Sequence, residues 1–279
     1  MRGSFLHGIS DSSEGRLGVF LLFKSPKLRR KASQTVLLNG VLFIGSIQLY
    51  KYLVEPNFRH VYAELGVDSE SQEGLCWYMY TMYVATWILP MYMLSFVLNT
   101  SWYEEIATET HRLLVGGVQA SRRPSAPGRT TAGVPVTLRI ADVLYRGIFN
   151  VVFILQSNLV YKVPYFGFIL YILHLAFLFS LTAFEYRLTT AEGWTSERRL
   201  AFIQMRWTYF AGFGLLPAVF ASLFPQFIEA GVLALLLPVG IVAAAVSDPD
   251  NTAVSLFPVF MPSLWVTGIL VKLIDFFRT

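Results

Sequence analysis

Lys27, Arg29, Arg30 and Lys31 stand together just ahead of an apolar run that opens at Val36. Arginine presents a planar fork that takes an oxyanion through two hydrogen bonds. The free N–H groups and dipole at a helix start also favour anions. Lys27, Arg29 and Arg30 are therefore candidates to hold an anion or an acidic lipid headgroup. The plainer reading makes them topology determinants, because cations beside a first span keep that end in the cytosol. Glu185 and Arg187 close a second apolar run, Tyr165 to Phe184. They are read as a structural charge pair, made with each other or with another basic loop. A transport gate is the sharper alternative, since ionisable groups at membrane depth carry function, but these sit at an edge.

Other chemistry is sparse. Asn150, Gln156, Asn158 and His174 are polar groups inside apolar pieces, where hydrogen bonds between helices are the expected use. Glu104, Glu105 and Glu109 beside His111 fit an amphipathic cytosolic helix better than an acid/base pair. The single cysteine, Cys76, excludes an intramolecular disulfide and a cysteine metal cluster. The four histidines have no ligand spacing. No phosphate loop, zinc-protease signature or nucleophile elbow can be assembled. The expectation is no catalytic residue, no metal and no cofactor.

These residues must be positioned by a membrane protein. Only 14% of the 279 residues are charged and 54% are hydrophobic, against about a quarter charged in soluble domains. The net charge of +4 fits basic cytosolic loops, and nucleic acid is not an expected partner. The lipid bilayer and other membrane proteins are. Residues Met1 to Arg16 have no apolar stretch and are not read as a cleavable signal peptide. Leu17 to Phe23 would suit a short interfacial helix.

A span needs about 20 apolar residues. Val36 to Val54 fits, ending at Glu55-Pro56. Leu75 to Thr100 fits, with a kink or tilt expected at Pro90 and Trp77, Tyr78, Tyr80 and Tyr83 as an interfacial anchor. A flexible basic loop is expected over 112–135, with helix resuming near Val136. Gly147–Tyr161 and Tyr165–Phe184 follow, divided by Lys162-Val163-Pro164; the first is about 22 Å long as a helix, too short to cross alone. Seven Lys/Arg precede the first span, and Glu55–Gly74 holds one against five acids. This places the N-terminus in the cytosol and Glu55–Gly74 outside. The pair Gly147–Phe184 must then leave and return to one side, by two crossings or by a half-penetrating hairpin. The sequon Asn99-Thr100-Ser101 falls on the cytosolic side and is expected to carry no glycan. Residues 1–35 thus read as a cytosolic basic segment, and 36–279 as one helical membrane domain.

From Trp207 to Val271 there are 65 residues without a Lys or Arg, three acids (Glu229, Asp248, Asp250) and six prolines. The prolines are expected to leave apolar pieces too short for regular spans. Either the helices kink and cross, with neighbours satisfying the freed carbonyls, or they enter and turn back. The fold class is all-α: a polytopic membrane protein with long transmembrane helices plus proline-broken helical hairpins that either cross or half-penetrate the bilayer.

Six segments in order resemble the etoposide-induced protein 2.4 family, distantly related to bacterial CysZ-type sulfate permeases. They are Lys24 to Arg30, Leu89-Pro90, Ser101 to Ala107, Ile140 to Asp142, Phe184 to Arg187, and Arg206 to Pro217. The resemblance implies a non-enzymatic multi-pass protein of the endoplasmic-reticulum membrane that supports autophagy, with growth-suppressing and apoptosis-linked roles. For the bacterial branch it implies sulfate passage, with oxyanion contact at positions matching Arg29 and Arg30. The glycine-rich anion loop of that branch is absent ahead of Leu28, where Gly15 and Gly18 are the nearest glycines. Anion transport is the first alternative. A structural subunit of a larger mitochondrial or other organellar membrane complex is the second.

Overall fold

The computed structural model describes residues 2–13, 20, 22–119, 136–191, 194, 196–249 and 257–278. Every regular element among them is helical. We number them α1 (Arg2–Ser13), α2 (Pro26–Glu64), α3 (Ser69–Leu114, helical onward to Gln119), α4 (Val136–Tyr161) and α5 (Gly167–Tyr186). Then follow α6 (Ser196–Met205), α7 (Trp207–Ala221), α8 (Gln226–Val246) and α9 (Met261–Arg278). Four segments are long and apolar enough to cross a membrane: α2, α3, Gly167–Thr189 and Ile228–Val246.

The helix starts follow from local chemistry. Ser25 is extended and Pro26 occupies the first turn of α2, where a missing N–H costs nothing. Asp68 caps α3 by accepting from the Ser71 N–H at 3.0 Å. That amide holds the Asp68 carboxyl below its usual range. The cap's contribution is thus full above the ordinary carboxylate pKa and is lost as pH falls through the lowered one.

The two longest helices exceed their expected limits. α2 does not end at Glu55-Pro56 but runs through it to Glu64. Proline lacks an N–H, and its ring crowds the carbonyl four residues back. A π-helical stretch at Tyr50–Val54 lies just ahead of Pro56, and another at Val84–Ile88 lies just ahead of Pro90. The wider turn takes up the misfit, so neither proline stops its helix. No break falls between residues 35 and 36, since Pro26–Thr35 passes directly into the Val36–Ile44 stretch. Residues 112–119 of the expected loop are helical, an extension of α3. The remainder, 120–135, lies outside the described residues, as does most of the Leu17–Phe23 segment.

Two hairpins follow, each pairing a short apolar arm with a longer one. Gly147–Tyr161, the apolar part of α4, is joined to the 20-residue α5 by a turn at 162–166. The 15-residue α7 is joined to the 21-residue α8 by a turn at 222–225. A helix of 20 residues spans about 30 Å, the thickness of a bilayer core, so α5 and α8 have spanning length. This corrects the expectation that prolines leave only short pieces after Trp207. Pro238 sits inside α8 without ending it. The Ala234 carbonyl, whose helical donor Pro238 would have been, accepts instead from the Tyr103 hydroxyl at 2.7 Å.

α5 lies at the centre, packed against α4, α7 and α8. Phe184 meets Phe210 and Phe213 at centroid distances of 5.0 and 4.9 Å, both edge-on. α1 lies across α7. A Cβ on Gly8 would come within 2.2 Å of the Tyr209 carbonyl oxygen, and one on Gly212 within 2.2 Å of the Phe5 oxygen. Only glycine allows backbones so close. Tyr209 donates to Asp11 across the same crossing, at 2.5 Å.

Candidate functional site

A cavity of about 560 Å³ opens among α2, α3, α4, α5 and α8, within the size range of small-molecule sites. Its walls are mainly aliphatic and aromatic, with Phe43, Tyr92, Phe96 and Phe179 among them. Polar groups from all five helices interrupt them. Asn39 and Asn99 exchange two side-chain hydrogen bonds at 3.1 Å each, joining α2 to α3. Asn150 of α4 and Ser95 of α3 line the cavity without belonging to that pair. Glu229, at the start of α8, is 5% exposed, and Tyr171 of α5 donates to its Oε1 at 2.7 Å.

The positions of the polar groups follow from helix geometry. Asn39 also donates to the Thr35 carbonyl one turn earlier at 3.0 Å, which orients its amide toward α3. Tyr171 and Glu229 each fall near the first turn of their helix, beside a hairpin tip. The sequon asparagine, Asn99, is buried and bonded inside the fold. Among the described lining residues there is no Lys, Arg or His; the charged groups are Glu185 and Glu229.

The residues proposed from sequence lie apart from this chamber or at its edge. Lys27, Arg29 and Arg30 are exposed on the first turns of α2, and none lines the cavity. Leu28, between them, is buried and holds the segment against the bundle. Lys31 bonds Glu105 at 2.7 Å, tying α2 to α3. The cluster is thus a fixed basic surface. Glu185 meets Arg199 of α6 at 3.3 Å, a partner in the neighbouring basic stretch. Arg187 donates to the carbonyls of Ala244 at 2.9 Å and Ser247 at 2.5 Å, capping the end of α8.

Gln156 and His174 do join helices. Gln156 Nε2 lies 3.1 Å from His174 Nε2 and donates to the Val259 carbonyl at 3.0 Å. Its Oε1 accepts from Ser263 of α9 at 2.5 Å. Asn158 bonds within its own helix, to the Ile154 carbonyl, and also faces the cavity.

Sequence reasoning passed over Glu229 and Tyr171. The available signal was a lone carboxylate in an apolar run, which by itself marks a functional position at membrane depth. Its partner is 58 residues away and unreadable from spacing. Among the described residues no three His, Cys, Asp or Glu side chains gather as a metal site.

A family model described as "Sulfate transporter CysZ/Etoposide-induced protein 2.4" matches residues 16–243. A protein of Arabidopsis thaliana named "Protein EI24 homolog" is 29% identical over 270 residues, covering 88% of this chain and 83% of its own length. A protein of the same name from Dictyostelium discoideum is 25% identical, covering 96% of this chain and 82% of its own. No solved structure matches.

Proposed function

The chain belongs to the sulfate transporter CysZ/etoposide-induced protein 2.4 family, and from that premise we propose that it is a non-enzymatic, lipid-handling protein of the endoplasmic-reticulum membrane that supports autophagy. The observation that carries the lipid reading is the cavity lining, which is mainly apolar and without a cation among the described residues. Such a chamber suits an acyl chain or other apolar body. A sulfate ion inside it would meet Glu229 and no compensating charge, and burying an unpaired anion is prohibitive.

Arg29 and Arg30 supply the second half of the reading. They stand exposed beside Lys27 at the end of α2, and no salt bridge among the described residues takes up either arginine. A basic cluster next to a span draws acidic headgroups with about 1 kcal/mol per cation. We place this end in the cytosol from the charge of the flanking segments, where basic loops and acidic leaflet face each other. The autophagy role, in autophagosome formation or membrane contact, and any growth-suppressing or apoptosis-linked role rest on the likeness to the etoposide-induced branch.

The test uses cells lacking the chain. The tagged wild-type protein is expected to coincide with an endoplasmic-reticulum marker and to restore autophagosome formation. The double variant Arg29→Glu/Arg30→Glu should reach the same membrane without restoring it. Residence in another organelle, or full rescue by the variant, contradicts the proposal. Anion passage is the second reading, favoured by the other half of the family's description. Saturable sulfate uptake into proteoliposomes, lost on Arg29→Ala/Arg30→Ala, would establish it.

A further inference from the structure

We infer that the cavity is a binding site for a cationic amphiphile, a protonated amine on an apolar body, with Glu229 as its counter-ion and with entry sideways from the lipid. This deepens the lipid-handling reading by naming the ligand's chemistry and door.

The charge argument comes first. Glu229 is buried and its carboxylate accepts the Tyr171 hydroxyl. A phenol donates a hydrogen bond but cancels no charge. Glu185, the other acid on the lining, meets Arg199; Glu229 has no cation beside it among the described lining residues. The whole segment from Trp207 to Val271 contains none to offer. A buried carboxyl is held ionised by an opposite charge and otherwise keeps its proton; an amine occupant supplies that charge. The aromatic walls fit the same ligand, since ring faces attract ammonium groups. The Ser95 hydroxyl is buried and has no hydrogen-bond partner among the described residues, a further polar atom on this lining with its bond unmade.

The door follows from exposure. Leu89 and Met93 of α3, and Val151 and Leu155 of α4, line the cavity and are also exposed, at 47%, 57%, 46% and 58%. These four side chains form an apolar rim on lipid-facing helices. α3 and α4 approach at Phe96 and Gly147 but are not among the helix pairs with extended contact. A rim of this kind admits a solute dissolved in the bilayer and repels a hydrated ion.

The experiment uses the full chain in phosphatidylcholine nanodiscs and radiolabelled sphingosine, a long-chain amine, as probe. Saturable binding is expected, with a matched long-chain alcohol at least tenfold weaker. Glu229→Gln keeps an acceptor for Tyr171 but removes the charge, and should weaken amine binding about 10- to 100-fold with the melting temperature unchanged. Val151→Trp should block binding from the rim without touching Glu229, and so decides the question if the glutamine variant does not fold. Arg29→Glu/Arg30→Glu should bind the amine normally, so that failure of the headgroup reading and failure of this one are distinguishable. Equal affinity for alcohol and amine, unchanged binding by Glu229→Gln, or unchanged binding by Val151→Trp overturns the inference.

Discussion

Replacing Gly214 by valine will prevent the membrane domain from packing. A Cβ at this position would lie 1.9 Å from the Ala176 carbonyl oxygen and 2.6 Å from its carbon. The obstruction is backbone, which cannot rotate away as a side chain can. α7 must then separate from α5, and the contacts that fill their interface, Phe184 with Phe210 and Phe213, separate with it. Overpacking commonly costs about 1–3 kcal/mol; against a rigid backbone we expect the upper end or more. In detergent the variant should lose its monodisperse peak or melt far below wild type. Gly268→Ala is the control. Nothing lies within 4 Å of its added Cβ, and removing a helical glycine should raise stability by about 0.5–1 kcal/mol.

The second large effect is expected at Arg199. Its side chain is 5% exposed and that of Glu185 is 14% exposed, at 3.3 Å. Arg199 also reaches the Thr189 hydroxyl. Removing one member of a buried ion pair typically costs about 3–5 kcal/mol, because the remaining charge stays in low dielectric. Arg199→Met should therefore destabilise strongly, and Glu185→Gln together with Arg199→Met should regain much of the loss. Thermal melts of the four proteins in a double-mutant cycle give the coupling directly. Additive losses would show that the pair does not hold α5 to α6.

Much of the architecture was legible in the sequence because it follows from solvent. A bilayer forces apolar runs into helices, so the fold class and the divide at Lys162-Val163-Pro164 are where hydropathy puts them. The helix ends were not legible. Pro56 and Pro238 carry a strong local stop signal, and both are overridden, while Pro90 lies inside its helix as expected. Pro56 and Pro90 are accommodated by π-helical turns, and Pro238 by a hydroxyl from Tyr103, 131 residues from the carbonyl it serves. That last contact realises one of the two outcomes the prolines allowed, in which a neighbour satisfies the freed carbonyl.

The candidate site divides in the same way. Lys27, Arg29 and Arg30 were visible as a cluster because they adjoin in sequence. Glu185 and Arg187 were visible as charged groups, but not their use: one faces Arg199 and the other caps α8. The cavity was invisible, since its polar members come from five helices and meet only on folding. α1 was also hidden. Its docking depends on Gly8 and Gly212, which carry no hydrophobic signal and act through their small size.

The most direct test of the lipid-handling account is a titration of the purified chain, in an uncharged detergent, with a short-chain phosphatidylserine. Wild type is expected to bind saturably. Arg29→Glu/Arg30→Glu removes two attractive charges and adds two repulsive ones, and should weaken binding at least tenfold. Binding of the same strength by the double variant would contradict the account.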